Sequence, residues 1–300
     1  MAVQFSFAPN RSYFVIGSLY PYAWSDNTLP ARLLRLIENR GDPLALDTPY
    51  DVAFPMEPDT FCISWKATSG KEYYEEDYLG PQYARLADYI RSVGTKGERT
   101  ARTVFGPGAS YFSTSPSGYS WQNLPLALEV DIQADLQTRR PTTVALGVQG
   151  SYVVLYDDGT VKFDLHDLYH MLESCLLDGE ETARRTGITY VALNPFVAGE
   201  YYAVYGDGST AWNLPPAWSS DVIAVSGGNA GSNTAAGSAK GSTPASSAPR
   251  PAPVKNESDL DKALEMLKRA KDEIDWRKTL NDLNLGLGVL VNIENVVNGV

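Results

Sequence analysis

The sequence predicts a β-rich repeat domain of five units, arranged as a β-propeller-like ring with helical connections, followed by a linker and a C-terminal helix. Three observations carry this. The hairpin "SYVVLYDDGTVKF" at 151–163 returns as "EYYAVYGDGSTAW" at 200–212. Related stretches recur with intervals of 47, 51, 41 and 49 between Phe14, Phe61, Phe112, Val153 and Tyr202, periods that belong to propellers and solenoids. After Val225 the chain turns abruptly to Gly, Ala, Ser, Thr and Pro, and then to leucines seven apart.

The units can be taken in order. The first runs from "VQFSFAP" through Tyr13-Phe14 and Trp24 to Leu29-Pro30. The second keeps "YDVAFP" and Phe61, but its turn, within "KATSGKEYYEED", reads as longer and its Leu-Pro is missing. The third has "RTVFGPG", Tyr111-Phe112, Trp121 and Leu124-Pro125. The fourth has "TTVALGVQG", Tyr152, Asp158-Gly159 and Phe163, and the fifth has "TYVALNP", Tyr201-Tyr202, Asp207-Gly208, Trp212 and Leu214-Pro215.

Each unit has a physical reading. Val144 and Leu146, like Val191 and Leu193, alternate as a half-buried strand does, and Asp-Gly is expected to supply the positive φ angles of a tight hairpin. Leu-Pro then ends the last strand, because Pro donates no ladder hydrogen bond and suits the first turn of a helix. "ARLLRLIENR", "QYARLADYIRSV", "LALEVDIQADL" and "LHDLYHMLESCLL" follow the first four units with apolar residues three and four apart. One such unit cannot bury its apolar faces alone, so neighbours must stack. A closed ring is the expected solution, with an open stack of ββα repeats as the alternative.

The runs "G-S-Y-x-V-x-Y-x-D-G-T" and "E-Y-Y-x-V-Y-x-D-G-S-x-x-W-x-L-P" resemble the repeats of fungal-type multi-repeat proteins of the WD-like or tachylectin-like propeller kind. The resemblance spans residues 1–225 and implies a lectin or a protein-interaction platform. The Gly-His…Trp-Asp signature of a WD40 blade is missing, and the helices are longer than propeller loops usually are.

Composition bounds the function. The chain has 300 residues, 43% hydrophobic and 20% charged, with net charge −11, which repels a phosphate backbone and sets nucleic acid and anionic membranes aside as partners. Cys62 and Cys175 lie far apart in apolar runs and read as buried free thiols. "MAVQFSFAPNRSYF" has neither a basic n-region nor an unbroken apolar stretch, and no run is long enough to span a membrane, so a cytoplasmic location is expected.

Residues 226–254 read as a flexible Gly/Ala/Ser/Pro linker, and 255–300 as an amphipathic helical tail. Leu260, Leu267 and Ile274 fall seven apart with Leu264 between them, and Leu283, Leu287 and Leu290 continue in a second phase. Such a face docks on the repeats or self-associates, and the latter would make the repeat domain multivalent.

Candidate chemistry is sparse. His166 and His170 stand at i and i+4 but lack a third ligand in sequence, so no metal site is assigned. No nucleotide loop, nucleophile elbow or Cys–His pairing is recognisable, and no catalytic residue or cofactor is assigned. Glu75-Glu76 and Asp157-Asp158 read as solvated turn acids. Trp24, Trp121, Trp212 and Trp218 are the candidate ligand-binding residues, since an indole offers a flat apolar face to a sugar or a protein partner. The first three repeat at one position, which suits packing between units better. Trp218, off the repeat pattern, is freer to be exposed. The expected role is a non-enzymatic protein-interaction scaffold made multivalent by its tail, with a carbohydrate-binding lectin as the alternative.

Overall fold

The structure is a computed structural model that describes residues 3–17, 22–25, 28–76, 79–96, 101–177 and 187–226. The chain divides into units Met1–Ala236 and Gly237–Val300, and every described residue lies in the first. Beyond Ser226, the expected linker and tail, with Leu260, Leu264, Leu267, Ile274, Leu283, Leu287 and Leu290, lie outside the described residues.

The described residues form five antiparallel three-stranded sheets, each followed by a helix. They are β1 (Gln4–Ala8), β2 (Ser12–Ile16) and β3 (Tyr22–Trp24) with α1 (Ala31–Glu38), then β4 (Leu46–Ala53), β5 (Cys62–Ala67) and β6 (Glu72–Glu75) with α2 (Ala84–Thr95). Next come β7 (Arg102–Gly106), β8 (Ser110–Ser115) and β9 (Gly118–Gln122) with α3 (Leu126–Asp135), and β10 (Pro141–Leu146), β11 (Tyr152–Tyr156) and β12 (Val161–Asp164) with α4 (His170–Leu177). The fifth unit is β13 (Ile188–Leu193), β14 (Tyr201–Tyr205) and β15 (Thr210–Asn213) with α5 (Ser219–Ser226). The unit is therefore the expected one, and the fifth helix, unrecognised in "SSDVIAVS", is added to it.

Turn chemistry fixes each sheet. In the first hairpin of units three and four both central residues are left-handed, Gly108 and Ala109 at φ 69° and 54° and Gln149 and Gly150 at 54° and 81°, as a type I′ turn demands. The second hairpin departs from expectation, because only the glycine is left-handed at Gly159 and Gly208, both at φ 83°. Gly159 N–H donates to Tyr156 O (3.1 Å) and Tyr156 N–H to Thr160 O (2.9 Å), a three-residue turn in which Asp158 Oδ1 accepts Thr160 N–H at 2.8 Å. Unit two makes the same turn, with Gly70 N–H to Ala67 O and Ala67 N–H to Lys71 O both 2.8 Å. Its turn is therefore not longer.

Alternation on the middle strands sends one side chain to the preceding unit and the next to the following one. Tyr13, Tyr111, Tyr152 and Tyr201 face backwards, and Phe14, Phe112, Val153 and Tyr202 face forwards. In unit two Phe61 packs with unit one and Cys62 with unit three, so Cys62, not Phe61, is the counterpart of Phe14. The register expected from sequence is one residue out there, which flips a side chain to the other face of the sheet.

Five apolar cores result, each shared by two sheets and the helix between them. One position anchors every helix, four residues after the leucine that ends the third strand: Leu33, Tyr83, Leu128 and Tyr169 are 0% exposed and Trp218 8%. Unit two spells its strand end Leu79-Gly80-Pro81, so Gly80 stands where Pro follows the leucine in the first, third and fifth units, Pro81 comes one position later, and the spacing from leucine to anchor is unchanged. The fifth core joins β13–β15 and α5 to the first sheet: Phe5, Phe7, Tyr13 and Val15 pack with Tyr202, Trp212, Trp218, Val222 and Val225. Tyr13 OH donates to Asp221 on α5, and Gly17 lies so close to Val225 that an added Cβ would meet its side chain at 2.1 Å. Thus the last unit packs on the first, and the five first strands neighbour one another in the order β1, β4, β7, β10, β13 and back to β1.

Candidate functional site

The five first strands enclose a cavity of about 80 Å³. Four of these strands contribute Gln4, Tyr50, Arg102, Thr103, Thr142 and Thr143 to a polar end of the lining, and Phe7, Phe54, Phe105 and Leu193, from the late parts of the strands, line the other. The polar end is built by specific bonds. Gln4 Nε2 donates to Asp51 Oδ1 at 2.7 Å, and Thr103 N–H donates to Asp51 Oδ2 at 3.3 Å, so one carboxylate ties together β1, β4 and β7. Tyr190 OH accepts Phe5 N–H (3.1 Å) and donates to Phe5 O (2.9 Å), tying β13 to β1.

Asp51 is 2% exposed. Burial pushes its carboxyl up to about 7, against the opposing effects of the Gln4 hydrogen bond, the Arg102 charge and the Thr103 N–H. Burial, and then the nearby Asp51, push the Cys62 thiol well up, while a bond from Thr103 draws it down. Arg102 is exposed at the mouth, opposite Thr114 across the β7–β8 ladder, and its side chain makes no hydrogen bond or ion pair among the described residues. Nor do the hydroxyls of Thr114 and Thr143 make a hydrogen bond there.

A second feature lies on the rim. The outward faces of α1 and α2 carry Arg32, Arg35 and Glu38, and Arg85, Asp88 and Arg91. On α3 the exposed face instead carries Leu126, Val130 and Ala134, at i, i+4 and i+8, with Ala127 and Gln133 beside them. Leu126 is 75% and Val130 54% exposed, although the other face of the same helix already buries Leu128 and Ile132.

The indoles chosen from sequence are packing residues. Phe14 pairs with Trp24, Phe112 with Trp121, Val153 with Phe163 and Tyr202 with Trp212, so the four rings occupy one register position. Trp24, Trp121 and Phe163 are half-buried and Trp212 is buried, each against the core shared with the next unit. Trp121 Nε1 donates to Glu129 Oε1 at 3.2 Å. Trp218 is buried rather than exposed, with its ring centroid 4.7 Å from that of Tyr13, because it occupies the helix-anchoring position.

In unit two the ladder ends with Ile63 opposite Glu75, and Glu76 follows at the point where the other units carry an aromatic ring. Glu75 and Glu76 are not solvated turn acids. Both are 9% exposed and reach different helices, Glu75 pairing with Arg32 and Glu76 with Arg91, each at 2.7 Å. Asp157 and Asp158 do lie in a turn, but as hydrogen-bond acceptors of Arg140 N–H and Thr160 N–H.

His166 and His170 do not converge. His166 precedes the helix at φ 48° and turns to Asp164, with Nδ1 to Oδ1 at 3.1 Å, whereas His170 lies with Asp167 and Glu173, one ligand atom of each within 4.8 Å of the others. That trio sits mainly in solvent and is the ordinary acidic start of a helix. Both cysteines are free, Cys62 buried and Cys175 half-buried.

Sequence reasoning missed Asp51, Arg102 and the α3 strip. The signal for Asp51 is a lone carboxylate in the apolar strand "YDVAFP". Among the described residues no helix is long and apolar enough to cross a membrane. Comparison with family models, with curated proteins and with solved structures finds no match to this chain.

Proposed function

We propose that the repeat region is a closed five-bladed β-propeller acting as a non-enzymatic protein-interaction module, with the α3 face as its docking surface. The packing of the fifth unit on the first supports the ring. The observation that supports docking is the exposed strip Leu126, Val130 and Ala134 on α3, on a helix whose opposite face already fills a core. Contiguous apolar surface of this kind marks interaction sites on soluble proteins, and a partner with an apolar helix face would fit it.

Replacing both Leu126 and Val130 with Asp tests this. Exposed positions tolerate the change, so the melting temperature should stay within a few degrees of wild type. Affinity capture with the wild-type domain should retain proteins that the double variant does not. Identical captured sets would remove the reading.

The leucine series of 255–300 supports multivalency through a self-associating tail, which raises the effective concentration of weak sites. Leu267→Asp with Ile274→Asp should then bring the full chain to monomer mass by light scattering. An unchanged mass would remove the tail as the assembly element.

A further inference from the structure

We propose that the polar mouth of the cavity enclosed by the five first strands binds a small oxyanion, with Arg102 as its anchor and Asp51 as a protonation gate that closes the site when ionised. This goes beyond docking on α3, which uses another surface. Four observations carry it.

The mouth gathers donors from two sheets. Arg102 presents a guanidinium fork that no carboxylate among the described residues engages, and forks of this kind match oxyanions with two parallel N–H bonds. Thr114 across the ladder from Arg102, and Thr143 on β10, add hydroxyls without other partners among the described residues. The cavity measures about 80 Å³ and phenylalanines and Leu193 line its far end, so a ligand must be small and must keep its charge at the polar end.

Finally, a buried carboxylate, Asp51, is bonded to two of the lining residues, Gln4 and Thr103, while the other carboxylate close to the lining, Glu72, accepts the Tyr50 hydroxyl at 2.9 Å. The groups that face Asp51 are, strand by strand, Gln4 from β1, Arg102 and Thr103 from β7, Cys62 from β5 with Glu76 beyond it, and Tyr190 from β13. Of these only Arg102 is cationic. An ionised Asp51 therefore competes with an incoming anion for the field of Arg102, and a neutral Asp51 leaves that field to the ligand. The carboxyl titrates near neutrality, so this exchange falls within the physiological range.

Sulfate and acetate serve as probes because neither changes charge between pH 6 and pH 8.5. Amide shifts of the full chain, followed by NMR during titration at constant ionic strength with chloride as the control, should move and saturate at residues 102–104 and 142–144. The dissociation constant should be tighter at pH 6 than at pH 8.5, by up to about 30-fold if only the neutral form binds. Arg102→Gln, at an exposed position, should abolish the saturable shifts at both pH values. Asp51→Asn should bind with the low-pH affinity throughout. A stronger response to sulfate than to acetate would assign the site to phosphate-like ligands, and the reverse to carboxylates. Non-saturating shifts, shifts that survive Arg102→Gln, or equal affinity at the two pH values in a wild-type chain that stays folded would each overturn the proposal.

Discussion

Trp218→Ala is expected to lower the stability of the repeat domain by about 3–5 kcal/mol, the range for removing a large aromatic ring from a core that cannot collapse around the cavity. Trp218 fills the seam between the fifth and first units, where its ring lies against Phe5, Phe7 and Tyr13 with centroids 6.3, 6.4 and 4.7 Å away. The loss is large against a typical domain stability of about 5–15 kcal/mol. Trp121→Ala gives the internal comparison, because Trp121 is only half-buried and should cost distinctly less. Urea unfolding of the two variants measures both. Equal losses, or a Trp218→Ala midpoint close to wild type, would show that the seam does not hold the domain together.

The second large effect is a pH dependence that belongs to one residue. Asp51 keeps its proton up to about pH 7 in the folded chain, against an ordinary value of 3.8. Between these values the native state binds more protons than the unfolded state, so stability falls as pH rises, the reverse of the usual carboxylate behaviour. The gap between the two values corresponds to roughly 4 kcal/mol, an upper figure for the charge cost of the buried group. Asp51→Asn keeps the shape and removes the titration.

The difference in unfolding free energy between wild type and Asp51→Asn should therefore move in favour of the variant by up to about 4 kcal/mol between pH 4 and pH 8. Other groups cancel in this difference. Asp135 is the main one, its carboxyl held well below the usual range first by the hydrogen bond from Arg139 and then by Lys162, so its contribution is present at neutral pH and lost as pH falls. Parallel curves for the two proteins across the range would contradict the raised carboxyl.

Much of this architecture is legible in sequence because it rests on local signals. Gly159 and Gly208 mark the outer hairpins, and alternation in "TTVALG" and "TYVALN" marks the first strands. The errors have physical causes. Unit two misaligns in sequence because Phe61 is the larger apolar residue and Cys62 the smaller, while the side each faces is set by pairing with Ala53, which a single strand does not reveal. Trp218 looks off-pattern because leucine, tyrosine and tryptophan all serve at the helix-anchoring position, so the pattern lies in burial and not in residue type. The fifth helix, at eight residues, is too short for its periodicity to stand out beside the linker.

The candidate sites are less legible for a different reason. Asp51, Gln4 and Thr103 come from three units about fifty residues apart and meet only when the first strands are brought side by side. The exposed strip on α3 is invisible to a search for amphipathic helices, since apolar residues occupy both of its faces. Conversely, the glutamates at 75 and 76 look like solvent-facing charge in sequence and are buried ion-pair partners in the fold.

Ring closure is tested most directly by native-state hydrogen exchange on the Trp218→Ala protein. In a closed ring every sheet depends on both neighbours, so opening the seam between the fifth and first units should lower the protection of slow amides in β5 and β8, far from the mutation, by the same free energy as in β2 and β14. Protection lost only in β1–β3 and β13–β15, with β4–β9 exchanging as in wild type, would mean that the units form an open stack.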